Sequence, residues 1–144
     1  MNNTANGSSA LYNNTVGRGN TANGNGALYL NATGNLNTAN GSLALYLNTT
    51  GNLNTADGYV ALYSNYTGYN LTALGDSADV NGDGYTNSTA LGYRATITGS
   101  NQVVLGNSSI AHIYAQITGI TTCLTNGLRR ISKKMYPALN LLSS

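Results

Sequence analysis

Asp79-Val80-Asn81-Gly82-Asp83-Gly84 is the segment whose residue types and spacing come nearest to a chemical site. Side-chain oxygens recur at its first, third and fifth positions and glycine follows at the sixth, the opening of a loop that wraps Ca²⁺ in oxygen ligands. Such a loop closes on a carboxylate at the twelfth position, where the count reaches Ala90, which cannot ligate. Asp79, Asn81 and Asp83 are therefore a candidate for weak calcium binding only, and the segment reads better as a long turn; no cofactor is expected. Nucleophilic catalysis needs a base held against a nucleophile and an orienting third group. His112 is the single imidazole, with no acid nearer in sequence than Asp83, and it lies beside Ile110, Ile113 and Tyr114 in an expected strand. That is the setting of a structural or exposed histidine. With Cys123 the only thiol, neither a structural zinc site nor an internal disulfide can form. Four Asp and no Glu give little force to a paired-carboxylate glycosidase site. Gly17-Arg18-Gly19 and Gly24-Asn25-Gly26 lack the strand-to-helix context of a phosphate loop. The expected protein is not an enzyme.

Tyr12, Tyr29, Tyr46 and Tyr63 carry a different chemistry, because they recur every seventeen residues. Facing outward, they make an aromatic stripe suited to stacking on sugars or on a neighbouring fibre; facing inward, they are core. What must position them is a repeat. Asn-Thr-Ala begins at Asn3, Asn20, Asn37 and Asn54, and Ala-Leu-Tyr at Ala10, Ala27, Ala44 and Ala61. Gly7, Gly24, Gly41 and Gly58 lie between them, and Gly17, Gly34, Gly51 and Gly68 close each unit. A fixed period of this size announces stacked units. Residues 3–70 hold four registered copies. Residues 71–115 read as degenerate repeats and a closing coil: Ala73-Leu74-Gly75 and Ala90-Leu91-Gly92 are taken as Ala-Leu-Tyr with Gly for Tyr, and Val104-Leu105-Gly106 follows fourteen residues later. Residues 116–144 form a basic tail.

Each unit is expected to contain two short strands, one at Thr-Ala and one at Ala-Leu-Tyr, separated by Gly and Asn turns. Stacked in parallel at about 4.8 Å per layer, they pair above and below and set identical side chains in columns. Asn20, Asn37 and Asn54 then make an amide ladder. The expected class is all-β, a parallel β-solenoid. Helix is excluded by the dominance of Asn, Gly and Thr, and disorder by the strict register of Leu and Tyr. The composition fits this architecture and little else. Of 144 residues only 7% are charged, Trp and Phe are absent, and 23 Asn and 18 Thr supply the polarity. Columns of Ala and Leu bury too little to offset about 1–2 kcal/mol of backbone entropy per residue, so several copies are expected to share a core. No apolar run is long enough to cross a bilayer, and Met1-Asn2-Asn3-Thr4 lacks the basic start and apolar stretch of a signal peptide. Ten Asn-x-Ser/Thr sequons, at Asn2, Asn6, Asn13, Asn31, Asn40, Asn48, Asn65, Asn70, Asn87 and Asn107, are largely copies made by the repeat.

Asn20-Thr21-Ala22-Asn23-Gly24 through Ala27-Leu28-Tyr29, and Thr72-Ala73-Leu74-Gly75 leading to Ser88-Thr89-Ala90-Leu91-Gly92, resemble the head repeats of YadA-like trimeric autotransporter adhesins. The version with Asn-x-Thr-Gly in the outer turn is similar to repeats of phage tail fibres and bacterial surface proteins. Over residues 3–115 the resemblance implies a left-handed parallel β-roll, stable as a homotrimer, at the cell surface, outside the cell or in a virion fibre. Binding of a surface glycan or host receptor would fall to its outer surface. Tyr where many head repeats have Gly is the departure. Gly99-Ser100-Asn101-Gln102-Val103-Val104-Leu105-Gly106-Asn107-Ser108-Ser109 resembles the closing coil that precedes an intramolecular chaperone of the endosialidase type. Such a chaperone opens on Ser-Asp-x-Arg-Leu-Lys-Lys, whereas this chain has Cys123-Leu124-Thr125-Asn126-Gly127-Leu128-Arg129-Arg130. Codons for Cys123 to Ser143 can be written whose shifted frame reads SDERLKKDFKEDVPGFELIK, so residues 123–144 are expected to be a frameshifted remnant of that start; gene codons that lack the motif in that frame would sink the idea. Arg129, Arg130, Lys133 and Lys134 are then no selected basic patch, and neither nucleic acid nor membrane is an expected partner. An amphipathic helix through Leu128, Ile131, Met135, Leu139 and Leu142 is the rival reading, interrupted by Pro137. For the whole chain the alternatives to an adhesin or fibre segment are an open filament stacked end to end and a glycan- or receptor-binding fibre tip.

Overall fold

A computed structural model describes residues 2–113, and among them the regular elements are all strands. They are β1 (Thr4–Asn6), β2 (Thr21–Asn23), β3 (Thr38–Asn40), β4 (Thr55–Asp57), β5 (Tyr69–Leu74), β6 (Asp79–Val80), β7 (Thr86–Leu91), β8 (Thr96–Ile97) and β9 (Val103–Leu105). Contacts divide the chain after Ile110, and the first unit contains every strand. The readings of the basic tail, its frameshift and its helix fall at residues 116–144, outside the described residues.

The Thr-Ala strands pair in parallel and in chain order, β1-β2-β3-β4-β5-β7-β9, while β6 pairs with β8. Thr4, Thr21, Thr38, Thr55, Thr72 and Thr89 share one register, as do Ala5, Ala22, Ala39, Ala56, Ala73 and Ala90. The chain is thus a β-solenoid of about six turns. Period-two alternation turns the β-branched Thr outward and the Ala inward. Ala22, Ala39, Ala56, Ala73 and Ala90 are fully buried and belong to one apolar core with Ala27, Ala44, Ala61 and Leu28, Leu45, Leu62. Small Ala on one wall and larger Leu on the other fill a narrow interior.

Two expectations need correction. Ala-Leu-Tyr is a turn in the first four coils rather than a strand. Leu11, Leu28, Leu45 and Leu62 have left-handed φ values of 53°, 51°, 50° and 48°. Their N–H groups still donate to the coil above, Leu28 to the Ala44 carbonyl at 3.0 Å and Leu45 to that of Ala61 at 2.9 Å. A left-handed residue costs a leucine about 1–2 kcal/mol. In Leu28, Leu45 and Leu62 complete burial of the side chain contributes about 1.5–3 kcal/mol and offsets it, while Leu11 in the first coil is half-buried.

The second correction concerns register. Ala73-Leu74 pairs with Ala56-Asp57, so Ala73-Leu74-Gly75 and Ala90-Leu91-Gly92 continue the Thr-Ala-Asn-Gly column. The Ala-Leu-Tyr column continues as Ala78-Asp79-Val80 and Ala95-Thr96-Ile97: Leu62 N–H donates to the Ala78 carbonyl at 2.9 Å, and Ala78 and Ala95 are fully buried. Tyr is replaced there by Val80 and Ile97. With Leu gone from the middle position the turn straightens, and β6 and β8 appear.

Another left-handed column runs through Gly19, Leu36, Leu53, Asn70, Asn87 and Asn101. Leu36 is 60% exposed, so burial does not offset its φ of 57°. Leu36→Asn, which places an αL-tolerant residue there, is expected to stabilise the fold by about 1 kcal/mol. An unchanged or lower urea midpoint would contradict this.

Candidate functional site

Tyr12, Tyr29, Tyr46 and Tyr63 follow their left-handed leucines and form one ladder. Ring centroids lie 5.4, 5.0 and 5.3 Å apart, with interplanar angles of 4°, 4° and 8°. Each pair lies within the stacking range that contributes about 0.5–1.5 kcal/mol beyond burial. Gly26 makes room for one ring, since a Cβ there would lie 3.3 Å from Cδ2 of Tyr46. The ladder is neither core nor a flat stripe. Its rings cover one another's faces, stand edge-out and are half-buried, except Tyr12, which is 69% exposed. Stacking on a sugar needs a free face, and within the ladder the underside of Tyr12 is the face with no ring against it. Val80, buried, takes the next place in the column.

The amides that hold this ladder in step are of two kinds. Asn20, Asn37 and Asn54 do not bond to one another's side chains. Their Oδ1 atoms accept from the backbone N–H of Asn37, Asn54 and Leu71 at 2.9–3.0 Å. Their Nδ2 atoms donate at 2.8 Å to the carbonyls of Gly34, Gly51 and Gly68. The continuous amide-to-amide ladder is Asn14, Asn31, Asn48 and Asn65, in which each Nδ2 donates to Oδ1 of the coil below at 2.7, 2.8 and 2.9 Å. Its sequence signal is Asn three residues before the closing glycine. It ends at Asn65 Oδ1, a buried acceptor with no partner, because the next residue in the column is Gly82. Asn31, Asn48 and Asn65 also head three of the ten sequons. Fully buried, they are closed to a glycan in the folded chain, while Asn6, Asn13, Asn70 and Asn87 are exposed.

Asp79 begins β6 and Asn81 and Asp83 lie in the bend after it, but each is committed to donors of the protein. Asp83 Oδ1 accepts from the N–H groups of Tyr66 and Thr67 at 3.1 and 2.8 Å, and its Oδ2 from Thr67 Oγ1 at 3.0 Å. Two coils down, the equivalent donors, Ala32 and Thr33 N–H, reach the backbone carbonyl of Thr49. The carboxylate therefore stands in for a carbonyl. Asp79 plays the same part for Ser64 N–H at 3.1 Å, and Asn81 Oδ1 accepts from the Tyr85 hydroxyl at 3.2 Å. Sequence reasoning missed this bracing role; the signal was acid residues one repeat beyond Thr- and Tyr-bearing turns.

The two carboxyls are shifted in opposite directions. Burial pushes Asp79 up, against the lowering effect of the Val80 and Ser64 N–H groups. Burial also pushes on Asp83, but donors from Thr67, Gly84 and Tyr66 outweigh it and hold that carboxyl below its ordinary value. By linkage, the Asp83 contribution is present above the unfolded carboxylate value and is lost as pH falls through the lowered folded one. Asp79 contributes in acid and loses its contribution as pH rises through its raised folded value. Asp83→Asn is expected to flatten the acid limb of the stability curve and Asp79→Asn the limb above it. Urea midpoints across the carboxylate range check both, and an acid limb unchanged in Asp83→Asn would refute the assignment.

His112 is exposed, and the expected strand around Ile110 and Ile113 is absent: these residues have no regular structure. Among the described residues β9 is the last strand, and it pairs with β7. No protein-family model, no curated protein and no solved structure matches this chain.

Proposed function

We propose that the chain is a non-enzymatic structural segment of an extracellular fibre or adhesin head, which self-associates side by side and presents a repetitive surface for attachment. The observation that carries this reading is a leucine ladder on the outer face of the sheet. Leu74, Leu91 and Leu105 are in register across β5, β7 and β9 and are 48%, 44% and 44% exposed. In the preceding coils the same column holds Asn6, Asn23, Asn40 and Asp57. Apolar residues held in a row on a hydrogen-bonded sheet form a patch of the kind that marks an interface. The thin Ala and Leu core gives the chain a reason to cover it. A second and third copy bring the same strip, so a closed homotrimer, as the head-repeat resemblance implies, buries all three. Attachment to a surface glycan or host receptor would then use the outer turns.

End-to-end stacking into a filament fits less well. β9 follows β7 after fourteen residues instead of seventeen, so the last coil has a different circuit from the first. Sedimentation velocity on the intact protein is the test: a trimer mass that Leu91→Asp converts to monomer supports the proposal. A monomeric parent would overturn it, and long fibres under negative stain would favour the filament.

A further inference from the structure

We infer that the tyrosine ladder is a site of oxidative cross-linking, at which one-electron oxidation joins neighbouring coils through a dityrosine bond. Four phenols lie in one file, and adjacent rings are nearly parallel with centroids 5.0–5.4 Å apart. Parallel rings displaced by one coil place each ortho carbon about as far from its counterpart as the centroids are from each other. A phenoxyl radical formed on one ring thus has another phenol as its nearest partner, and the half-buried rings keep that partner in place while their outer edges remain open to an oxidant. Tyr12, with one face uncovered, has the most freedom to rock toward its neighbour. The first link is therefore Tyr12 to Tyr29.

The oxidant is a haem peroxidase acting with hydrogen peroxide. Each of two phenols gives up one electron and one proton, and the two radicals couple through their ortho carbons. The proton on each of those carbons then moves to the phenolic oxygen, restoring both rings and both hydroxyls. The C–H bonds at the two ortho carbons are lost, one C–C bond forms, and peroxide is reduced to two waters. The product ties residues seventeen apart and restricts the unfolded chain as a disulfide does.

Full-length protein treated with peroxidase and peroxide, then denatured and cleaved by trypsin, gives a direct reading. Cleavage after Arg18, with a second digestion by an endoproteinase that cuts before Asp57, Asp76, Asp79 and Asp83, shows the Tyr12 to Tyr29 link as peptide 1–18 joined to peptide 19–56 with the loss of two hydrogens, whereas links to Tyr59 or Tyr93 fall on peptides 57–75 and 83–94. Dityrosine fluorescence should rise with it, and the urea midpoint of the protein linked within one chain should move upward. Tyr59 and Tyr93, exposed but outside the ladder, serve as internal controls. Tyr29→Phe keeps a ring in the stack and should abolish the Tyr12 link while leaving Tyr46 to Tyr63. Coupling that favours Tyr59 or Tyr93, or that joins Tyr12 equally well in Tyr29→Phe or in urea, would overturn the inference.

Discussion

Gly41→Ala is expected to abolish cooperative folding of the roll. Gly41 has φ of +138°, a region closed to residues with a side chain, and belongs to a column with Gly7, Gly24, Gly58 and Gly75 at +134° to +139°. An added Cβ would collide with the Gly58 carbonyl oxygen and lie 2.6 Å from its carbon. Both are backbone atoms of the next coil, and that coil is fixed by its own bonds on either side, as when Gly58 N–H donates to the Asn40 carbonyl at 2.8 Å. Relief requires the stack to part at its middle. Several kcal/mol are at stake against a total stability of about 5–15 kcal/mol for an ordinary domain. Gly84→Ala is the matched control: its φ is +72° and the nearest atom to a new Cβ is Thr67 Oγ1 at 3.8 Å. It should lose about 1 kcal/mol. Circular dichroism and urea melts separate the two, and a Gly41→Ala protein that melts like the parent would refute the packing argument.

Asn48→Ala should cost about 3 kcal/mol or more, the second largest effect. Asn48 is fully buried. Its Nδ2 donates to Asn31 Oδ1 at 2.8 Å and to the Gly51 carbonyl at 3.1 Å, while its Oδ1 accepts from Asn65 at 2.9 Å. Truncation orphans Asn31 Oδ1 and takes from Asn65 Nδ2 its shorter bond. A buried polar group left unsatisfied costs about 1–3 kcal/mol. Asn31 Oδ1 is such a group, Asn65 Nδ2 keeps only its 3.3 Å bond to the Gly68 carbonyl, and the cavity left by the amide adds to the cost. The Gly51 carbonyl keeps a donor in Asn37, so it adds little. Asn52→Ala is the comparison, since Asn52 lies in a partly exposed file where water can replace the lost contacts. A urea midpoint for Asn48→Ala no lower than that of Asn52→Ala would show that the ladder is not structural.

Much of this was legible in the sequence, and the parts that were not share a cause. The columns, the parallel stacking and the solenoid followed from spacing alone, because a coil can close over its neighbour only if equivalent residues coincide. Spacing does not say which backbone conformation a column adopts. Leu28 and Leu45 are left-handed because the circuit must turn there, against the preference of leucine, and that requirement arises only once the coil is closed. Nor does spacing choose between two columns with similar letters: Ala73-Leu74-Gly75 resembles Ala-Leu-Tyr, but Thr72 before it and Gly75 after it place it with Thr55 and Gly58. The amides show the same limit. Asn20 and Asn31 both recur in register, yet one faces the peptide of the next coil and the other its side chain, a difference of angle that no spacing contains. Asp79 and Asp83 matched a cation loop by type, while their actual partners are N–H groups one coil away.

The register has a consequence for the history of the gene. Every strand pairing from β1 to β7 sets opposite each other positions seventeen residues apart, so whole units can be duplicated or deleted with all ladders preserved. A shift of one residue within a strand throws Thr against Ala and brings side chains onto the glycine column, and the fourteen-residue step from β7 to β9 keeps the strand register only by shortening the turns between. Length in such a chain is quantised: homologous copies should differ by whole coils, and a rod can be tailored to a new reach by recombination alone, without the invention of a new contact.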